Sequence, residues 1–252
     1  MSEEGFMNGL IGFYKLEDWW LNELTDEDRE IIEDKFEGHS DDDKPMKLTT
    51  GKPKSNYTSI FSFIETLASN HRKPEDYFVV QKIFNKADSL INEVEVVDKH
   101  FYYQTKISIH YRSRETNPDA LDNAIQACLD QIALSKDVAE VFTKRYISSH
   151  DPISRLESLK SFATFSFELH EKYAQEISEL ESEIEKIKGK KFILDPEIKI
   201  LPLHTGFQQL AIIYEKQKKY TEMIDLCIRA DNEGWNGIWK KRIEKAKKKL
   251  SG

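Results

Sequence analysis

The chain has 252 residues and a net charge of −8, and 33% of its residues are charged. Its 14 Phe, 10 Tyr and 4 Trp can form a hydrophobic core, which excludes a chain that is disordered throughout, and the small numbers of glycine and proline favour helix. No apolar run reaches the about 20 residues that span a membrane, and the acidic start of the chain differs from a signal peptide, so we expect a cytoplasmic protein without a membrane segment.

The first predicted element is an aromatic segment followed by an acidic helix. Residues 6–21 contain 10 apolar or aromatic side chains, which must be covered by the rest of the chain or by a partner. Thr25 and Asp28 have the spacing of a capping box and predict a helix from about Asp26 to Glu37. Between residues 17 and 43 there are 13 acidic and 2 basic side chains. These acidic residues either attract a basic protein or form a helix and loop that remain solvated, and we favour the second interpretation.

Residues 38–56 separate the acidic segment from a series of predicted helices. They contain two glycines, two prolines and few apolar side chains, which predicts a linker or mobile loop. Beyond them, apolar side chains recur every three or four residues and predict one helix pair over 57–92 and a second pair over 96–114 and 119–135. A further helix is predicted near 136–149.

A long helix is the next prediction. From Leu156 to Ile187, apolar residues alternate in steps of three and four, which is the heptad pattern of a coiled coil. A continuous helix from Ile153 to Lys188 would be about 50 Å long. Such a helix predicts either a projecting arm or a homodimer formed along the heptad seam.

The clearest pattern lies in the C-terminal quarter of the chain. Apolar, small and aromatic residues recur there at the spacing of two packed helices, at Phe207, Leu210, Ala211, Tyr214, Tyr220, Met223, Cys227 and Ala230. An earlier segment repeats the pattern at Ile107, Ser108, Tyr111, Ala124, Ile125 and Cys128. The two cysteines occupy the same repeat position, so we expect small buried hydrophobes without a disulfide bond.

This pattern resembles the tetratricopeptide repeat, an antiparallel helix pair that stacks into a right-handed solenoid. Two positions depart from it. Trp235 stands where the repeat normally closes with proline, and Gln131 stands where the family prefers a small residue. A final helix that caps the stack is predicted to bury one face, formed by Trp235, Ile238, Trp239 and Ile243.

The resemblance implies an all-α protein, a short tetratricopeptide-like α-solenoid that also carries a long heptad-patterned helix and an acidic N-terminal segment. Four regions follow from the patterns. They are an acidic segment and linker at 1–56, helix pairs at 57–152, the long helix at 153–190, and a repeat with its capping helix at 191–252.

By the same resemblance, the first helix of each pair lines a groove that binds a protein or peptide. The groove positions map to Thr105, Ile109, Arg112, Thr205, Gln208, Gln209, Ile212, Glu215 and Lys216. The function implied is that of an adaptor or regulator with a protein or peptide partner. The alternative is a structural scaffold that self-associates through the long helix.

Nucleic-acid binding and catalysis are disfavoured. In a nucleic-acid-binding protein, the basic residues of 240–249 would contact phosphates while Trp235 and Trp239 stacked on bases. We expect both indoles to be buried instead. Seven histidines are scattered along the chain, and His110 and His170 lie in helical patterns where packing is the expected role. The sequence has no phosphate-binding loop, nucleophile motif or Cys/His ligand cluster, so we expect no enzyme, no cofactor and no bound metal.

Overall fold

The computed structural model describes residues 7–36, 47–52, 59–163, 167–186 and 201–251. About 80% of these residues are helical, which confirms the all-α class. The chain forms two compact units, and each consists of two separate stretches of sequence. The first unit contains the described residues up to Leu134 together with Thr205–Ile213, and the second contains Ser135–His204 and the described residues from Tyr214 onward.

The helices of the first unit are α1 (Gly9–Phe13), α2 (Asp26–Lys35), α3 (Ile60–Asn70), α4 (Tyr77–Leu90), α5 (Val96–Ser113) and α6 (Ala120–Ala133). A π-helical turn spans Trp19–Glu23, and 3₁₀ turns at Pro74–Asp76 and Ile91–Glu93 flank α4. The second unit contains α7 (Ser135–His150), α8 (Pro152–Ala163), α9 (Phe167–Lys186), α11 (Tyr220–Asn232), α12 (Trp239–Leu250), β1 (Leu201–Leu203) and β2 (Trp235–Asn236). Helix α10 (Thr205–Lys216) begins in the first unit and ends in the second.

The helix pairs predicted between 57 and 135 are confirmed in the first unit, where α3 packs on α4 and α5 packs on α6. Local capping explains where these helices begin. Ser59 and Ser62 form a capping box before α3, and Pro74 starts the 3₁₀ turn that leads into α4. Each helix then buries an apolar stripe, which includes Ile64 on α3 and Ile83 on α4.

The aromatic segment at the N-terminus is covered by the chain itself. One hydrophobic core of the first unit includes its side chains Leu10, Ile11, Leu16, Trp19 and Trp20 together with Phe63, Ile64, Val80 and Ile83. The ring of Tyr14 stacks on that of Phe63, with 5.0 Å between centroids. Within residues 7–21 the chain itself therefore covers most of the apolar side chains, while Phe13 and Leu21 each remain 54% exposed.

Helix α2 begins at the predicted capping box and is fixed to the first unit by ion pairs. The backbone N–H of Thr25 donates to the Asp28 carboxylate at 2.7 Å, and the backbone N–H of Asp28 donates to the Thr25 hydroxyl at 3.2 Å. Asp28 also pairs with Lys82, and Lys35 pairs with Asp76 at 2.5 Å. Burial opposes ionisation of Asp28, but the bonds from Lys82 and Thr25 outweigh it and keep the pKa of Asp28 below its usual value.

Residues 47–52 of the predicted linker have no helix or strand and are hydrogen-bonded to the start of α1. The backbone N–H groups of Gly9 and Ile11 donate to the carbonyls of Gly51 and Leu48, both at 2.9 Å. Leu48 is buried, and Gly9 has a φ of 70° with the Leu48 carbonyl lying where a β-carbon would stand. A glycine is required at that position. The remainder of 38–56 lies outside the described residues.

The prediction of one continuous helix from Ile153 to Lys188 is also wrong. Helix α8 ends at Ala163, and α9 begins at Phe167 and packs on α8. Arg155 of α8 pairs with Glu176 of α9, two residues that a straight helix would separate by about 30 Å. The two helices therefore fold back on each other as a hairpin. Buried Leu180 shows that part of the heptad seam packs within the chain.

The face predicted for the final helix is corrected in two respects. Trp235 lies in strand β2, which pairs in parallel with β1 through Leu201, and α12 begins only at Trp239. Ile238 is 60% exposed and Ile243 is half-buried, so the cap rests on the two indoles. The short strand β1 forms just before α10, because Trp235 offers backbone partners that only the folded chain brings near.

Candidate functional site

Helix α10 carries four of the predicted groove residues on one face. The helix buries its apolar side, namely Gly206, Phe207, Leu210, Ala211 and Ile213. The side of the helix beside these buried residues is half-exposed. It consists of Thr205, Gln208, Gln209 and Ile212, which we call the amide stripe. Thr205 lies three and four residues before Gln208 and Gln209, and Ile212 lies four and three residues after them, so the side chains share one side of the helix. All four belong to the first unit.

Two glutamines determine what the amide stripe can bind. The Nε2 atom of Gln209 is buried and makes no hydrogen bond to a described residue. A carboxamide offers donors and an acceptor, which match the C=O and N–H groups of a peptide backbone. Ile212 adds an apolar contact beside them. Because none of the four side chains titrates near neutral pH, the stripe is suited to binding and not to proton transfer.

The three groove positions predicted on α5 have different environments. The Thr105 hydroxyl donates to Glu65 at 2.9 Å and is therefore engaged within the unit. Ile109 is 1% exposed and belongs to the hydrophobic core, so it cannot contact a ligand from solvent. Arg112 is exposed. Only Arg112 of these three thus presents an accessible charge to a ligand.

The last two groove positions lie in the second unit. Glu215 is half-buried and pairs with Lys245 and, at 3.6 Å, with Arg242, so its charge is compensated by α12. Lys216 is exposed at the end of α10. The predicted set of nine residues is thus divided between the two units, with Glu215 serving an internal contact.

Gln131 supports the start of α10, a role that the sequence analysis did not assign. Its side chain is fully buried, its Nε2 donates to the His100 carbonyl at 2.8 Å, and its Oε1 accepts from the Gly206 N–H at 2.6 Å. The first N–H groups of a helix have no partner within the helix, so Gln131 satisfies one of them beside the amide stripe. The sequence did contain one indication of this role, because glutamine stands at a repeat position where the family prefers a small residue.

We expect Gln131→Leu to destabilise the first unit by about 2 kcal/mol, because the buried Gly206 N–H and the His100 carbonyl both lose this partner. Urea unfolding followed by circular dichroism measures the change. Gln126→Leu is the matched control, since Gln126 is exposed on the same helix and bonds only Asp130 among the described residues. Equal effects of the two substitutions would contradict the supporting role of Gln131.

The predicted packing roles of His110 and the cysteines are confirmed. His110 is buried, with its Nδ1 3.0 Å from the Tyr77 hydroxyl and its ring against Phe84. The side chain of His170 lies outside the described residues. Cys128 and Cys227 are buried and free, and burial raises their thiol pKa values to about 12 and about 11. Such thiols carry little thiolate at neutral pH and are poor nucleophiles.

The C-terminal indoles are not available for base stacking. Trp235 and Trp239 are 0% and 1% exposed. The Trp239 Nε1 donates to the Trp235 carbonyl at 2.7 Å, and the Trp235 ring makes an edge contact with His204, with 4.6 Å between centroids. Without accessible aromatic rings, α12 offers single-stranded nucleic acid charge alone.

None of the helices in the described ranges combines the length and the apolar character that crossing a membrane requires. Comparison with protein-family models, with curated proteins and with solved structures gives no match for this chain.

Proposed function

We propose that the protein binds a protein or peptide partner through the amide stripe of α10 and acts as an adaptor or regulator. The observation that carries this proposal is the half-exposed row formed by Thr205, Gln208, Gln209 and Ile212 on one helix. The carboxamides of this row match the hydrogen-bonding groups of a peptide backbone. The tetratricopeptide resemblance supports the same role, since such repeats bind peptides on their first helices.

The alternative of a self-associating scaffold receives less support. It depended on a continuous heptad helix, and the hairpin of α8 and α9 leaves no uninterrupted seam of that length among the described residues. Sedimentation velocity at several concentrations tests it directly. A mass that grows with concentration would favour the scaffold over the adaptor.

Selection of peptides from a displayed library, followed by fluorescence anisotropy with the full chain, tests the amide stripe. We expect the combined variant Gln208→Ala, Gln209→Ala, Ile212→Ala to weaken binding of the selected peptides about tenfold or more, because it removes two hydrogen-bonding amides and one apolar contact. The matched control is Gln104→Ala with Gln126→Ala, two exposed glutamines of the same unit. If the two variants bind every selected peptide as the wild type does, the stripe is not the binding surface.

A further inference from the structure

Helix α12 carries the densest positive charge of the described chain. Seven of its 12 residues are basic, namely Lys240, Lys241, Arg242, Lys245, Lys247, Lys248 and Lys249, and Glu244 is its one acid. The helix is held by its apolar side, where Trp239 and Ala246 are buried, and it packs on α11. Its remaining faces are directed to solvent.

Among the described residues, ion pairs engage two of these cations. Arg242 and Lys245 pair with Glu215. The other five are exposed and form no ion pair with a described residue, and we call them the lysine face, which comprises Lys240, Lys241, Lys247, Lys248 and Lys249. Like charges brought this close repel one another, so an anionic partner would relieve the repulsion.

The lysine face is a surface and not a small-molecule pocket. The depression beside it, lined in part by Tyr220, Met223 and Lys249, has a volume of about 20 Å³. That is far below the about 300 to 1,000 Å³ of a typical small-molecule site. A ligand of this face must therefore lie along the helix, which is about 18 Å long.

Two classes of polyanion fit poorly. A membrane-surface helix needs its apolar face free for insertion, and α12 buries Trp239 and Ala246 within the unit. Single-stranded nucleic acid would find no accessible indole to stack on, because Trp235 and Trp239 are buried. A short acidic peptide responds chiefly to charges within a Debye length, about 8 to 10 Å, and so to the cluster of lysines on α12.

We propose that the lysine face of α12 binds a short acidic segment of a partner protein. Clustered carboxylates complement the five exposed ammonium groups, and lysine accepts such partners without the fixed geometry that arginine imposes. This surface lies in the second unit and is distinct from the amide stripe, so it gives the protein a second contact whose strength depends on salt.

A labelled peptide of about 12 residues that alternates glutamate and glycine is the probe, measured by anisotropy with the full chain. We expect binding to weaken about tenfold between about 50 and about 200 mM salt. Reversing charge on the face should weaken binding at least about tenfold, in the variant Lys240→Glu, Lys241→Glu, Lys247→Glu, Lys248→Glu. The matched control reverses four exposed lysines elsewhere in the same unit, Lys136→Glu, Lys144→Glu, Lys160→Glu, Lys172→Glu.

Three results would overturn the proposal. The first is equal binding of the same peptide with glutamine in place of glutamate. The second is an equal loss of affinity in the control variant, with circular dichroism showing both variants folded. The third is tighter binding of a DNA duplex of about 20 base pairs, or of phosphatidylserine vesicles, than of the acidic peptide. The amide-stripe variant should bind the acidic peptide as the wild type does, so failure of one proposal is separable from failure of the other.

Discussion

Acidification from about pH 7 to about pH 4 should destabilise the first unit by at least about 3 kcal/mol, because His100 and His110 remain neutral in the folded chain. Both side chains are buried, and burial lowers the pKa of each from 6.5 to about 4. For His110, Lys106 lowers the pKa further and Asp88 opposes it.

The sign of this effect follows from which state takes up protons first. Above pH 6.5 the two histidines are neutral in both states and contribute no pH dependence. As the pH falls below 6.5, the unfolded chain binds protons that the folded chain excludes until about pH 4, so the free energy of unfolding decreases across this interval. Asp28 acts separately, since its lowered pKa means that its contribution is lost only below 3.8.

Urea unfolding at several pH values measures how steeply the free energy of unfolding changes with pH, which is the slope used below. Hydrogen exchange in α5 assigns this slope to the first unit. His110→Gln keeps a hydrogen-bonding group near the Tyr77 hydroxyl but cannot gain a proton, so it should remove about half of the slope. His150→Gln is the control, because His150 is exposed. A free energy of unfolding that stays constant over the interval would show that neither buried histidine is held neutral.

In the second unit, Trp239→Ala should lower the free energy of unfolding by about 3 to 5 kcal/mol. The indole is 1% exposed, and its Nε1 donates to the Trp235 carbonyl at 2.7 Å. Its ring occupies the space beside Gly237 where any other residue would place a β-carbon. Truncation to alanine therefore leaves a cavity between β2 and the start of α12 and removes the hydrogen bond from the indole to the Trp235 carbonyl.

Hydrogen exchange in α11 and α12, together with urea unfolding, measures this loss. Trp239→Phe should cost less, since it keeps most of the apolar volume and loses only the hydrogen bond. Ile238→Ala, at a neighbouring side chain that is 60% exposed, should change stability by less than about 0.5 kcal/mol. Comparable effects at Trp239 and Ile238 would contradict the role of the indole as the anchor of α12.

Periodicity predicted the helices of the first unit because each buries a single stripe against a neighbour in sequence. The apolar positions of α3 to α6 repeat every three or four residues, and a capping box marks the start of α3. The same reasoning failed between α8 and α9. A heptad pattern is satisfied equally by a straight coiled coil and by a hairpin, and the apolar spacing alone does not show where the chain turns back.

Contacts between distant residues explain the other differences. Trp235 joins a strand whose partner Leu201 lies in a separate segment, and Gln131 bonds Gly206, which is 75 residues away. The charged sequence of α2 predicts a solvated helix. In the structure, ion pairs with Lys82 of α4 and with Asp76, just before α4, hold α2 in place. Nothing near these residues in the sequence identifies their partners. The amide stripe itself could be predicted, because one helix supplies all four of its side chains.

The division of α10 between the two units has a consequence for biosynthesis. The first unit includes Thr205–Ile213, so it is incomplete until the ribosome has also made the whole of 135–204. Until then the apolar surface that Phe207, Leu210 and Ala211 cover in the finished unit is open to chaperones. A fragment that stops at Leu134 always lacks Thr205–Ile213, whereas the intact chain lacks these residues only during its synthesis.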